Sequence, residues 1–351
     1  MLAAVYRGPG QIRVDTVPVP AIEPGEVLVR VAACGVCGTD LKKIALGLVP
    51  PPRIFGHEMA GEIAAVGASV EGWSVGERVA VMHHVPCEEC YYCSRSDYAQ
   101  CALYKRTGTT AGFEPAGGGF AQYIRVMDWV VRRGMVRIPP HVSDEEATFV
   151  EPVNTCLKGL RRAGVQAGDT VLVVGQGQIG LIFTALAALG GATVYASDAL
   201  EDRLAASVQF GATAVFRAGQ DDVAARIRER TQGRGADVAI VCVPLQDAVD
   251  QAFTAVRPGG RVLLFAHTRK NDEVRVDGGA VCMLEKSLIG SYSSDIRLQE
   301  EAARLIFDRR LDVRRLITHR FPLERIGEAV SLAAHPTPGA LKIMVMPWMT
   351  A

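Results

Sequence analysis

The chain has no surplus charge of either sign: Lys+Arg and Asp+Glu both number 38 over 351 residues. No global field therefore draws it to nucleic acid or to anionic lipid. A nucleic-acid module also needs cations interleaved with stacking aromatics. Tyr91, Tyr92, Arg95, Lys105 and Arg106 come together, but Glu88, Glu89 and Asp97 dilute their charge. The start, MLAAVYRGPGQIRV, lacks a basic region followed by an apolar core, so no secretion signal is expected. Repeats and low-complexity tracts are missing too. The longest uncharged run, 28 residues between Asp169 and Asp198, is interrupted by Gly175, Gly177, Gly180, Gly190 and Gly191. A strand, a turn, a buried helix and a second strand explain it better than a membrane span. Partners are accordingly expected to be small molecules, with neither nucleic acid nor membrane, in a cytoplasmic protein.

Cysteine, by contrast, is concentrated. Cys87, Cys90, Cys93 and Cys101 are spaced C-x2-C-x2-C-x7-C, which lets one short loop wrap a single ion. Zn²⁺ takes four thiolates in a tetrahedron, and two-residue gaps bring sulfurs to one side of a turn. The competing readings are a disulfide cluster and a Cys-x-x-Cys redox pair, but the flanks are not a thioredoxin-like βαβ unit. Thiols kept for metal fit a reducing compartment. A closed four-thiolate site holds shape and does no chemistry, so the function is sought elsewhere.

The chain changes texture near residue 153. Before it, short strands such as Glu26–Val31, Gly61–Val66, Arg78–Met82 and Phe120–Val126 are punctuated by Gly and Pro. After it, apolar strands (Thr170–Val174, Thr193–Ser197, Ala214–Phe216, Asp237–Val243, Arg261–Ala266, Ser287–Ser291) alternate with amphipathic helices. That alternation predicts a parallel sheet covered on both faces, about the size of a doubly wound dinucleotide fold. The last segment, from about Asp295, ends in the apolar strand Leu341–Met346 and is expected to rejoin the first domain.

Strand Val171–Val174 runs into Gly175-Gln176-Gly177-Gln178-Ile179-Gly180 and then into an apolar helix. The GxGxxG pattern is informative here because it follows a strand and opens a helix. Gly175 permits the turn, Gly177 lets the backbone reach a pyrophosphate, and Gly180 lets helix pack on strand. Gln178 and Ile179 supply the helix N-terminus that faces the phosphates. Asp198, at the end of the next strand, would accept the adenosine ribose hydroxyls and repel a 2′-phosphate, so NAD is expected over NADP. A plain helix cap is the other reading of Asp198. Arg203, one turn on, reaches ribose or phosphate, or is a solvated helix charge.

Cys37, His57 and Glu58 offer a thiolate, an imidazole and a carboxylate, enough for an open catalytic zinc site. With these residues the chain resembles the zinc-dependent medium-chain dehydrogenase/reductase family over essentially its whole length. The match rests on CGVCGTD around Cys37, on the G-H-E-x-x-G run from Gly56 to Gly67, on the four-cysteine lobe and on GxGxxG followed by Asp198. The resemblance implies an α/β protein: a GroES-like β-rich catalytic domain plus a doubly wound Rossmann domain, with the active site in the cleft between them. On that reading residues 1–152 and 293–351 form the catalytic domain, with a structural zinc lobe at about 85–103, and 153–292 bind NAD.

The same resemblance implies that Cys37 and His57 hold catalytic zinc, with Glu58 as an adjacent or exchanging ligand. Glu151, in Val-Glu-Pro-Val, looks like the sorbitol and threonine dehydrogenase branch, where this Glu lies near zinc directly or through water. Whether Glu58 or Glu151 is the third ligand stays open; Cys156 is a further competitor but is expected instead to pack at the domain junction. Asp40 matches a residue that hydrogen-bonds the zinc histidine, and Thr39 one that takes the substrate proton. Lys42 stands where many members have a proton-relay His, which leaves the exit route open. His83 and His84 read as loop histidines, His267 follows a strand at the cofactor edge, and Lys342 aligns loosely with a basic residue that touches pyrophosphate.

The implied reaction is reversible oxidation of a secondary alcohol to a ketone, using two Zn²⁺ per chain and NAD. The substrate would be a polyol, sugar-derived alcohol, cyclitol or amino alcohol. The competing reading on this scaffold is a zinc-free quinone or enone reductase, against which Cys37, His57 and the cysteine lobe argue. A homotetramer or homodimer is expected, with the Ser287–Ser291 strand able to pair across a two-fold axis.

Overall fold

The computed structural model describes residues 1–350 except 83–84, 107–116, 268–270 and 272. His83 and His84 therefore lie outside the described residues. The chain divides into two compact units, Met1–Asn154 with Asp295–Ala351, and Thr155–Ser294.

The first unit is β-rich. Its larger sheet runs Ile317–Pro322, Lys342–Met346, Val27–Gly35, Glu58–Val66, Arg78–Val81, Met135–Arg137, with Tyr123–Val126 also paired to Val27–Gly35. A smaller sheet joins Gln11–Thr16, Leu2–Gly8 and Arg53–Ile54. Alternation along Val27–Gly35 buries Val27, Val29 and Val31 and turns Leu28, Arg30 and Ala32 to the other face, as a strand period of two requires. Each buried Val contributes about 1.5–3 kcal/mol relative to exposure. The register matters most for the site. Gly35 pairs with Glu58 on one side and Met344 on the other, so the strands that begin with Glu58 and Lys342 flank it.

The second unit holds a six-stranded parallel sheet. Its spatial order is Ala214–Arg217, Thr193–Asp198, Thr170–Val174, Ala236–Val241, Val256–Leu264, Ser287–Gly290. In chain order this is third, second, first, fourth, fifth, sixth, the doubly wound dinucleotide arrangement, with its topological switch at Thr170–Val174. The central strands are buried on both faces, which is why they read as unbroken apolar runs. Among the described residues, no helix is long and apolar enough to cross a membrane.

Candidate active site

Cys37 caps the helix Gly38–Leu46, and the third residue of that helix, Asp40, organises the site. Asp40 is fully buried. Its Oδ2 accepts from the Cys37 N–H at 3.3 Å, and its Oδ1 lies 3.2 Å from His57 Nδ1 and accepts from the Gly56 N–H at 3.5 Å. Burial alone would raise the Asp40 carboxyl, but the charge and hydrogen bond of His57 hold it below its ordinary value. The reverse holds for His57: burial opposes its charge, while Asp40 and then Cys37 raise it. With Nδ1 engaged by a carboxylate, Nε2 is the nitrogen that would ligate a metal, and its basicity is increased.

One donor atom each from Cys37, His57 and Glu58 falls within 4.8 Å of the others. This set, a thiolate, an imidazole and a carboxylate, is what an open zinc site uses. Glu58 is buried and ion-paired through Oε2 to Lys342 Nζ, which is itself fully buried and donates to the Val36 carbonyl at 3.2 Å. Gly35 makes room for this pair, since a Cβ there would lie 2.3 Å from Lys342 Cε and 2.4 Å from Glu58 Oε2. Glu151, near the start of the helix Val150–Arg162, is buried nearby but is not one of the three clustered donors. Burial raises its carboxyl to about 7, opposed by His57 and reinforced by Glu58. Thr39 sits half-buried in the first turn after Cys37.

The cysteine lobe forms a second cluster. Cys87, Cys90, Cys93 and Cys101 place all four sulfurs within 4.8 Å of one another. The separations are 3.6 Å for Cys87–Cys101, 3.5 Å for Cys90–Cys93 and 3.9 Å for Cys87–Cys93. Zn–S bonds of about 2.3 Å in a tetrahedron give an edge of about 3.8 Å, so the quartet fits that ion. None of the nine cysteines is in a disulfide, which argues against the disulfide reading. The lobe's own core is Cys93, Ala99, Cys101 and Tyr104, edged by Tyr98 and Leu103. With so little apolar area, an ion held by the four sulfurs would be the main brace.

In the second unit, the strand Thr170–Val174 leads to the helix Gln178–Leu189, capped by Gly177. A Cβ on Gly177 would meet only Arg203 Nη1, at 4.0 Å, so the backbone there is open to a phosphate. A Cβ on Gly180 would lie 1.8 Å from the Gly175 carbonyl, the close helix–strand packing that needs glycine. Asp198 accepts from the N–H groups of Gln176 at 2.6 Å and Leu200 at 2.9 Å, and Arg203 stands 3.9 Å from its Oδ2. Gln178 Nε2 and His267 Nδ1 are buried without a partner among the described residues. Buried polar atoms are rarely left so. Residues Gly175 to Gly180, with Asp198, fit a nicotinamide dinucleotide.

Residues 23–140 match the alcohol dehydrogenase GroES-like domain family, and residues 179–308 match the zinc-binding dehydrogenase family. A sorbitol dehydrogenase of Bacillus subtilis (strain 168) is 33% identical over 354 residues, covering 99% of this chain and 97% of its own. The chain belongs to the zinc-dependent medium-chain alcohol dehydrogenase family. An L-threonine 3-dehydrogenase of Pyrococcus furiosus is 37% identical over 254 residues, covering 71% of this chain and 70% of that one. The crystal structure of galactitol-1-phosphate dehydrogenase from Escherichia coli superposes with a TM-score of 0.87 at 28% identity, covering 99% and 100%. This dehydrogenase is thus an oxidoreductase of alcohols that uses zinc and a nicotinamide dinucleotide.

Within the dehydrogenase, one residue does other than the sequence suggested. Lys342 pairs with Glu58 inside the first unit and is fully buried there, not displayed for a pyrophosphate. Its signal was present in the sequence: a lone cation in the apolar strand Lys342–Met346 must find an anion. Cys156 packs inside the second unit, its thiol 4.0 Å from the Ile179 carbonyl, and is not part of the metal cluster. Gly35, which sequence reasoning passed over, sets the spacing of the Glu58–Lys342 pair.

Proposed function

We propose that this enzyme oxidises the secondary hydroxyl of a polyol, sugar-derived alcohol, cyclitol or amino alcohol, with NAD as acceptor and Cys37, His57 and Glu58 as the residues that hold catalytic zinc. The close approach of those three donors carries the reading. A zinc ion held by these residues would supply Lewis acidity at the substrate hydroxyl, and a bound nicotinamide would supply the hydride acceptor. Asp40 orients the His57 ring, Lys342 steadies one oxygen of Glu58, and Glu151 serves as an outer carboxylate. Thr39 would take the hydroxyl proton as its own hydroxyl proton passes on toward solvent. The polyol class draws on the sorbitol and threonine dehydrogenase relatives. The test is a screen of NAD⁺ reduction across polyols, amino alcohols and simple secondary alcohols, joined to metal analysis. Turnover of the first two classes with two zinc ions per chain is expected, and a zinc-free protein that reduces enones would refute it.

Asp198 supports NAD over NADP, because its carboxylate is held in place by two backbone N–H groups and would face a 2′-phosphate. Replacing Asp198 by Gly should lower the NAD/NADP ratio of kcat/KM at least about tenfold, since like-charge juxtaposition costs several kcal/mol. Arg203 would then be unopposed at the phosphate. An unchanged ratio would remove Asp198 from the cofactor site.

The edge of the parallel sheet supports a homo-oligomer, at least a homodimer. Among the described residues, strand Ser287–Gly290 pairs on one side only, with Val256–Leu264. Around it Met283, Leu284, Leu288 and Tyr292 are exposed, an arrangement that invites a second copy. Sedimentation should give a dimer or tetramer, and Leu288→Lys should shift it toward monomer. A monomeric parent enzyme would overturn this. The nine free thiols support a cytoplasmic location, and the balanced charge supports a protein without nucleic-acid or membrane partners.

A further inference from the structure

A second cavity, of about 340 Å³, opens on the first unit between the strands Val27–Gly35, Ile317–Pro322 and Lys342–Met346. Arg30, Ala32, Glu145, Arg320, Met346, Trp348 and Met349 line it. Its volume lies at the small end of the range for ligand pockets. It is not an extension of the metal cluster. Met346 lies four residues beyond Lys342 on one strand and Arg30 five before Gly35 on another, a separation of about 13 Å or more at a strand rise of about 3.3 Å.

The charges in this cavity do not balance. Glu145 is fully engaged: its two oxygens accept from Arg320 Nε and Nη2, the second at 3.1 Å. The Arg30 guanidinium has no hydrogen-bond or carboxylate partner among the described residues, and Glu62, opposite it in the neighbouring strand, makes no ion pair with it. Its guanidinium lies 4.1 Å from the centre of the Trp348 ring, and Trp348 is braced edge-on by Tyr123 at 5.6 Å. Stacking therefore holds a rigid donor fork in place without neutralising it. Around it stand an exposed indole (Trp348, 38% exposed), two thioethers (Met346, Met349) and the small Ala32. Thioethers and an indole accept a flat or alkyl body, and an unpaired guanidinium accepts a carboxylate in bidentate fashion.

We propose that this cavity is a binding site for a small organic carboxylate with an apolar body, the carboxylate on Arg30 and the body against Trp348, Met346 and Met349. Phenylacetate is a suitable probe, with the neutral 2-phenylacetamide as its match in shape, titrated calorimetrically into the full-length zinc enzyme. Phenylacetate should bind saturably at one site per chain. The amide, and phenylacetate on the Arg30→Gln variant, should each bind at least about tenfold more weakly, the value of a charge-assisted pair. Trp348→Leu should weaken both ligands together, and serves as the second variant if Arg30→Gln does not fold. Binding should survive in Cys37→Ala, which separates this site from a carboxylate bound at catalytic zinc, and Arg30→Gln should leave alcohol oxidation unchanged. Failure of phenylacetate to saturate, equal binding of acid and amide, or binding lost with Cys37 would each overturn the proposal. A fall in oligomer mass in Arg30→Gln would overturn it as well, by showing that a second copy covers the cavity.

Discussion

Replacing Cys37 by Ala should lower kcat/KM for alcohol oxidation by about 10³-fold or more, because metal-ion stabilisation of the reacting oxygen is worth several kcal/mol and each 1.36 kcal/mol is tenfold. The thiolate is one of three donors that come within 4.8 Å, and His57 with one carboxylate forms a poor zinc site by itself. The fold should survive, since the helix Gly38–Leu46 keeps Asp40, whose carboxylate still receives the backbone N–H groups of residue 37 and Gly56. NADH binding should also survive: the dinucleotide residues belong to a separate compact unit with its own core. Steady-state rates, NADH fluorescence titration and zinc content together check this. One zinc per chain, negligible turnover and normal NADH affinity are expected. A folded variant that keeps two zinc ions or full turnover would show that Cys37 is not a ligand.

The second large effect is on stability. In Cys101→Ser the cysteine lobe should lose its metal, lowering zinc content to one per chain while the Cys37–His57–Glu58 site stays loaded. Structural zinc contributes about 10–16 kcal/mol of folding free energy in small metal domains, and here the lobe's own core amounts to four buried side chains with four at its edge. Cys101 is fully buried, and its sulfur is 3.6 Å from Cys87 Sγ and accepts the Cys87 N–H at 3.4 Å. Burial would raise this thiol, yet hydrogen bonds, first from the Cys87 N–H, bring it down to about 7, so much of it is already thiolate near neutrality. Serine cannot supply that charge. The lobe is tied to the rest of its unit at its surface, by Arg297 through Ser96 at 3.1 Å and over the Tyr98 ring and by the Glu88–Arg133 ion pair, so opening should begin locally. A loss of about 3 kcal/mol corresponds to a fall in melting temperature of roughly 6–12 °C for a unit of this size. Calorimetry and limited proteolysis between residues 87 and 101 test it. An unchanged melting temperature with two bound zinc ions would count against a structural metal.

The two clusters differ in how far the sequence alone reveals them. The cysteine quartet is contained in fifteen residues, and the turns at Glu88 and Ser96, both with positive φ, bring the sulfurs together locally. The dinucleotide loop is equally local, since Gly175, Gly177 and Gly180 act on the backbone of one turn and one helix. Such patterns can be read because few residues separate cause from effect. The parallel sheet follows from apolar strands alternating with helices, for the same reason. Lys342 could not be placed this way. Its partner Glu58 is 284 positions away, and only the pairing of both their strands with Gly35 brings the two charges together.

From the sequence alone came the family, the reaction class, the four-thiolate lobe and the residues available to zinc and to the dinucleotide, since each depends on side-chain chemistry at short spacing. Tertiary structure alone decided that Glu58, not Glu151, joins Cys37 and His57 in the donor cluster, and that Lys342 neutralises it. It alone left Arg30 stacked and unpaired beside Trp348. Those outcomes depend on sheet register and on burial. Strand pairing between distant segments sets both, and no local pattern encodes it.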